Sequence, residues 1–253
     1  MIQACLNGGR TAGEHPGVPV TPEALAAQAR AAQEAGAGSV HLHPRDAHGR
    51  ETLHLDDVDA ALRAVRRACT VPVGVSTGIW MTGGDPRRRL EELARWRDLA
   101  EPPDFASVNV GEPAFGETAR LLRDLGTGVE AGIWSEDDAR AFTAGHRADH
   151  CIRILVEVID RPVGRAIADA LKILDLLDAR TGAVPVQLHS DGDAAWPVLS
   201  LALRRGLETR IGLEDTLLDA DGSPAGDNAR LVARAVRLAE AVRAEAAGRA
   251  AGA

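Results

Sequence analysis

The stretch Ala37-Gly38-Ser39-Val40-His41-Leu42-His43-Pro44-Arg45-Asp46 carries the most information in this chain. Residues 39–43 read as a β-strand, in which alternate side chains share a face, so His41 and His43 point the same way. Two imidazoles on one face at the end of a buried strand are half of a divalent-metal site. A third ligand has to come from elsewhere. The run Arg210-Ile211-Gly212-Leu213-Glu214-Asp215, a second short apolar strand that ends in acids, offers one.

The strand at 39–43 lies between helix-like runs at 22–35 and 56–68, and this unit recurs along the whole chain. Further strands are expected at 2–7, 73–76, 105–110, 128–133, 152–158, 184–189 and 209–214. Helices are expected at 86–99, 115–125, 136–145, 164–179, 194–204 and 228–246. Thr21-Pro22-Glu23 reads as a cap followed by Pro at the first helical position, and Ser135-Glu136-Asp137-Asp138 puts acids in a first turn. Gly36, Gly126 and Gly206 fall where helices should stop. Strict alternation implies a parallel sheet with right-handed crossovers, and eight such units in 253 residues imply one closed (β/α)8 barrel over 1–253. An open doubly wound sheet is the runner-up. It would usually carry a Gly-rich phosphate loop after its first strand, and Asn7-Gly8-Gly9-Arg10 does not match that pattern. The tail 246–253 is expected to fray.

Composition excludes several function classes. A formal net charge of -8 argues against a broad nucleic-acid footprint, and 3% aromatic residues with no Tyr argue against base stacking. No apolar run approaches a membrane span, and residues 1–7 lack the features of a signal peptide, so a cytoplasmic protein is expected. Cys5, Cys69 and Cys151 are scattered and odd in number, which fits a reducing compartment and offers no thiolate metal site. Lys172, the one Lys, lies in a helical run and is poorly placed for Schiff-base chemistry, and no Gly-Lys-Ser/Thr phosphate loop exists.

In a barrel of this kind catalytic groups sit at the C-terminal strand ends. Read in order, those ends carry Asn7, His41 with His43, Ser76 with Thr77, Asn109, Trp134, Glu157, His189, and Glu214 with Asp215, and Glu14 lies in the first loop. Arg210, Gly212 and Glu214 share parity and should face the lumen, where an unpaired charge is costly. A metal for Glu214 and an anion for Arg210 would supply partners. Asp215 is expected on the opposite face at the rim, within reach of a substrate as a base. Ser76 and Thr77 offer hydroxyls for a carboxylate or oxyanion, with a helix cap as the plain alternative. Ser107 and Asn109 share a face of the fourth strand and are candidate substrate contacts. His189 reads as a ligand, a substrate contact or a hydrogen-bonded structural histidine. Glu157 reads as a similar contact or as an ion-pair partner of Arg153 or Arg161.

Asn7-Gly8-Gly9-Arg10, residues 35–46, Ser76-Thr77-Gly78 and Arg210-Ile211-Gly212-Leu213-Glu214-Asp215, with His15-Pro16-Gly17-Val18-Pro19-Val20-Thr21-Pro22-Glu23 and Gly226-Asp227-Asn228-Ala229-Arg230-Leu231-Val232, occur in an order that resembles the β-keto acid cleavage enzymes over nearly the whole chain. The resemblance implies a zinc-dependent (β/α)8 barrel in which His41, His43 and Glu214 hold the metal. It implies that Asp215 and Arg210 work at the reacting carbon and that Glu14 and Ser76 contribute to the site. The implied reaction condenses a β-keto acid with acetyl-CoA as co-substrate and gives acetoacetate and a new acyl-CoA. A homo-oligomer, a tetramer by resemblance, is also implied. Residues 187–193 and Gly78-Ile79 depart from the family pattern, which leaves the variable end of the substrate open. Rival readings are a metal-dependent C–C lyase or hydrolase on the same barrel, acting without acetyl-CoA, and a barrel that binds a metabolite without chemistry. Hydrolase-type sites place H-x-H on the first strand and lyase-type sites place it late, whereas here it lies on the second.

Overall fold

In the computed structural model, which describes residues 1–145, 148–178 and 182–251, strands and helices alternate throughout. The strands are β1 (Ile2–Cys5), β2 (Ser39–Leu42), β3 (Val73–Ser76), β4 (Phe105–Asn109), β5 (Gly128–Ile133), β6 (Arg153–Glu157), β7 (Val186–His189) and β8 (Thr209–Ile211). The helices are α1 (Pro22–Glu34), α2 (Leu55–Ala68), α3 (Pro86–Ala94), α4 (Phe115–Asp124), α5 (Glu136–Gly145), α6 (Val163–Asp178), α7 (Ala195–Arg204) and α8 (Asn228–Ala251). All paired strands are parallel, in the order β7-β6-β5-β4-β3-β2-β1-β8. A parallel bridge between Gln187 and Glu208, with Leu188 N–H donating to Glu208 O at 2.9 Å, brings β7 to β8 and nearly closes the ring. The fold is a single (β/α)8 barrel.

The period-2 pattern of each strand sorts its side chains into two layers. Outward residues such as Ala4, Val40, Leu42, Val75, Val108, Ala131, Val156, Leu188 and Ile211 join the core between sheet and helices. Inward positions are polar to an unusual degree. Register places Gln3 beside Ser39 and Arg210, Glu130 beside Arg153, and Glu157 beside His189. Phe105 fills lumen space that Gly74 leaves open, since a Cβ at Gly74 would lie 1.8 Å from the Phe105 ring.

The expected helix signals are present. Thr21 caps α1 by accepting from Ala24 N–H at 3.2 Å, and Ser135 Oγ accepts from Asp138 N–H at 3.1 Å. The third helical run is shorter than the expected 86–99: α3 stops at Ala94 and a 3-10 turn covers Arg95–Asp98, with Trp96 buried and its indole N–H on Leu53 O at 3.0 Å. Helix α8 extends to Ala251, through most of the segment expected to fray; its Ala, Arg and Glu residues are strong helix formers. Lys172 lies on α6, half exposed, 3.3 Å from Glu136. Among the described residues Cys5 and Cys69 are buried and form no disulfide. Among the described residues no helix is long and apolar enough to cross a membrane.

Candidate active site and metal centre

At the C-terminal mouth of the barrel a cavity of about 210 Å³ is lined by residues from most of the strand ends. Its metal-like corner is built on β2. Asn7, just past β1, fixes the end of that strand: its amide donates to Pro19 O (3.1 Å) and His43 O (2.9 Å) and accepts from His43 N–H (2.9 Å). The His41 and His43 rings then meet edge to face at 5.2 Å between centroids. One ligand atom each from His41, His43 and Glu214 lie within 4.8 Å of one another. His41 Nδ1 and Glu214 Oε2 are buried with no hydrogen-bond partner among the described residues. Burial holds the His41 pKa down to about 3, which leaves the imidazole neutral, the form that ligates a metal. Burial pushes the Glu214 carboxyl up, but the charge of its neighbours, Arg210 foremost, more than reverses this and holds it well below the usual carboxylate range. Two imidazoles and one carboxylate, converging with unsatisfied atoms on His41 and Glu214, fit zinc or another borderline divalent ion.

The last strand differs from the sequence reading. β8 ends at Ile211, not at 214, and the chain turns at once, with Asp215 N–H and Thr216 N–H both donating to Gly212 O at 2.9 and 3.0 Å. Strand parity therefore does not govern Asp215. The turn carries it back over the lumen, 1% exposed, instead of out to the far face of the rim. Arg210 points inward, and its partners among the described residues are two of the chain's own carboxylates. Its Nη2 donates to Asp215 Oδ1 at 2.8 Å and to Glu214 Oε1 at 2.7 Å.

Asp215 begins a chain of polar contacts across the cavity. His189 Nδ1 lies 3.4 Å from Asp215 Oδ1, and His189 Nε2 lies 3.0 Å from Glu157 Oε2. Glu157 also accepts from the Trp134 indole N–H at 3.0 Å. Burial and Arg210 act to lower the His189 pKa, but the Asp215 and Glu157 carboxylates outweigh them and leave it raised. Burial raises the Glu157 carboxyl, but the His189 hydrogen bond and charge, Arg210 and the Trp134 hydrogen bond together outweigh it, so Glu157 is lowered. The expected partners Arg153 and Arg161 are engaged elsewhere, Arg153 with Glu130 and Glu208, Arg161 with Asp169 and Trp134 O.

On the β3–β4 side, Ser76, Ser107 and Asn109 line the cavity as expected. Asn109 is set by Glu112, which accepts from its amide at 2.8 Å and pairs with the fully buried Arg89. Gly132 gives this wall its room: a Cβ there would lie 2.5 Å from Asn109 Oδ1 and 2.8 Å from Glu157 Oε1. Three expected site residues lie outside the lining. Asn7 holds backbone, the Thr77 hydroxyl donates to Ser107 O at 2.6 Å, and Glu14 sits on the exposed first loop, where it accepts from Thr11 N–H at 2.8 Å. Ile159 and Asp191 line the cavity without having been singled out, as does Trp80, whose ring stacks on His43 at 6.4 Å between centroids. Glu51, 2.5 Å from His43 Nδ1, was missed entirely. It lies eight residues past His43 in a polar loop, and no periodicity points to it.

Fold and site together define a (β/α)8 enzyme with a candidate metal centre at the C-terminal mouth of its barrel. A family model described as beta-keto acid cleavage enzyme matches residues 1–251, and the chain belongs to that family. It is 27% identical over 259 residues to a 3-keto-5-aminohexanoate cleavage enzyme of Fusobacterium nucleatum, covering 95% of this chain and 91% of the relative. A protein of the same name from Acetoanaerobium sticklandii is 24% identical, with the same coverage. Among solved structures, ObcA without ligand superposes with a TM-score of 0.70 at 21% identity over 93% of this chain. This chain spans 63% of the ObcA length. A 3-dehydroquinate dehydratase from Geobacillus kaustophilus superposes with a TM-score of 0.57 at 13% identity, covering 96% of this chain and 91% of that one. These structural likenesses show the shared barrel.

Proposed function

We propose that this β-keto acid cleavage enzyme condenses a β-keto acid with acetyl-CoA and releases acetoacetate and a new acyl-CoA. The observation that carries this reading is the convergence of His41, His43 and Glu214 beside Asp215 at one cavity. A divalent ion, zinc by preference, held by those three residues would act as a Lewis acid towards the keto group. Asp215 is the base. It reaches the cavity with Oδ2 free of partners among the described residues, while Oδ1 accepts from Arg210 and lies 3.4 Å from His189 Nδ1. Arg210 aims that carboxylate and balances its charge with that of Glu214. His189, held by Glu157, is positioned to keep Asp215 oriented through a proton transfer. Ser76, Ser107 and Asn109 offer polar contacts to the substrate body, and Asn7 and Thr77 support the strands that present the site. Glu14 stands at the first loop, where it would contribute only by closing over the mouth. A thioester as second substrate is supported by the fold neighbour ObcA, solved as a ternary complex with a C4-CoA adduct and oxalate.

The test is to incubate zinc-loaded protein with a panel of β-keto acids, with and without acetyl-CoA, and to follow acetoacetate and acyl-CoA. Product only when acetyl-CoA is present supports the condensation. Cleavage without it moves the assignment to a metal-dependent lyase or hydrolase, and no turnover with bound metal moves it to a metabolite-binding barrel.

A further inference from the structure

The loop after β2 forms a small hairpin of its own. Arg45 pairs antiparallel with Glu51, Asp46 N–H donates to Arg50 O at 2.8 Å, and the Asp46 carboxylate accepts from His48 and Arg50 N–H at 2.8 and 2.9 Å. This turn returns Glu51 to the side of His43. Glu51 Oε1 lies 2.5 Å from His43 Nδ1, and the same oxygen accepts from Trp80 Nε1 at 3.2 Å. On the other side of that ring, His43 Nε2 lies 3.7 Å from Glu214 Oε1. Glu51 itself neither lines the cavity nor belongs to the converging triad.

A neutral imidazole carries one N–H, and a carboxylate against Nδ1 places it there, which leaves the Nε2 lone pair towards Glu214. We propose that Glu51 is a positioning residue that sets the tautomer and orientation of His43, and through His43 the affinity of the site for a divalent cation. The Trp80 indole N–H donates to the same Glu51 oxygen, so the loops after β2 and β3 both bear on one metal ligand. His41 has no such partner, since its Nδ1 meets no hydrogen-bonding group among the described residues. The two histidines of the H-x-H are therefore not equivalent.

The affinity part of this inference rests on the metal reading above, and the tautomer part does not. The full chain, labelled with 15N-histidine, stripped of metal and held at a pH high enough that the imidazoles are neutral, is examined by long-range proton–nitrogen correlation with Glu51→Ala and Glu51→Gln beside it. His43 is expected as the Nδ1–H form in the parent, retained in Glu51→Gln, and mixed or inverted in Glu51→Ala. Zinc affinity, read by competition with a chromophoric chelator, is expected to fall about 10–100-fold in Glu51→Ala and less in Glu51→Gln, the range typical of lost outer partners of metal-bound histidine. An unchanged tautomer and unchanged affinity in Glu51→Ala overturn the proposal. If that variant does not fold, zinc affinity in Glu51→Gln equal to the parent's overturns it. A parent that binds no zinc defeats the metal reading, and the tautomer measurement still decides the role of Glu51.

Discussion

Two arginines face the same barrel lumen and live in different chemistry. Near the floor, Arg153 lies against Glu130 and 2.7 Å from Glu208, with its guanidinium 5.7 Å from the centre of the Phe105 ring. Near the mouth, Arg210 holds Glu214 and Asp215, and all three border an open cavity. Both sites set one cation against two carboxylates. At the floor the aromatic ring and neighbouring side chains fill the remaining space, and the charges serve to join strands. Both sites hold carboxylate oxygens without a hydrogen-bond partner among the described residues, Glu130 Oε2 and Glu208 Oε2 at the floor and Glu214 Oε2 and Asp215 Oδ2 at the mouth, but only those at the mouth belong to residues that line the open cavity. Buried charge alone does not mark an active site. Buried charge with unspent hydrogen-bonding capacity at a cavity does.

The largest effect is expected where the comparison is sharpest. Asp215→Asn should lower kcat by about 10²–10⁴, the usual contribution of a general base, with zinc content measured in the same preparation unchanged. Near-normal turnover would place the base elsewhere and reduce Asp215 to a partner of Arg210. At the floor, Arg153→Met leaves Glu130 buried without its cation and should cost about 3–5 kcal/mol in urea unfolding. The folded fraction of that variant should turn over substrate at the parent's kcat, and a large loss of kcat there would break the division between floor and mouth. Gly132→Ala tests the cavity wall: the added methyl should cost about 1–3 kcal/mol of stability, as overpacking does, and raise KM more than it lowers kcat.

The smallest expected effect is a pH slope. The His189 pKa is raised in the folded state, so its stabilising contribution is fully present below the unfolded-state value of about 6.5 and is lost as pH rises through the folded value. Unfolding free energy measured from pH 6 upward should therefore fall in that window, and His189→Gln should flatten the fall. An equal slope in both proteins would mean that Asp215 and Glu157 do not hold a proton on this ring.

The sequence made some parts of this molecule legible and hid others for definite reasons. Strand–helix alternation, the cap at Thr21 and the shared face of His41 and His43 depend on backbone periods of two and 3.6 residues, which hydrophobic pattern records directly. The side on which Asp215 falls depends on where β8 stops. One bifurcated carbonyl, Gly212 O, replaces strand geometry with a turn, and parity counted through that point gives the wrong face. Glu157 and His189, 32 residues apart, meet because β6 and β7 pair in one register. The exposed place of Glu14 is set by a local turn that ties it to Thr11.

By itself, then, the sequence determined the eightfold alternation, the lumenal imidazole pair and the presence of two acids just past the last strand, because each is encoded over a few neighbouring residues. Only the tertiary structure decided that Arg210 serves two carboxylates, that Asp215 turns into the cavity, and that Glu51 stands behind His43. Those contacts arise from loop turns and barrel closure, which bring together groups that no local period relates.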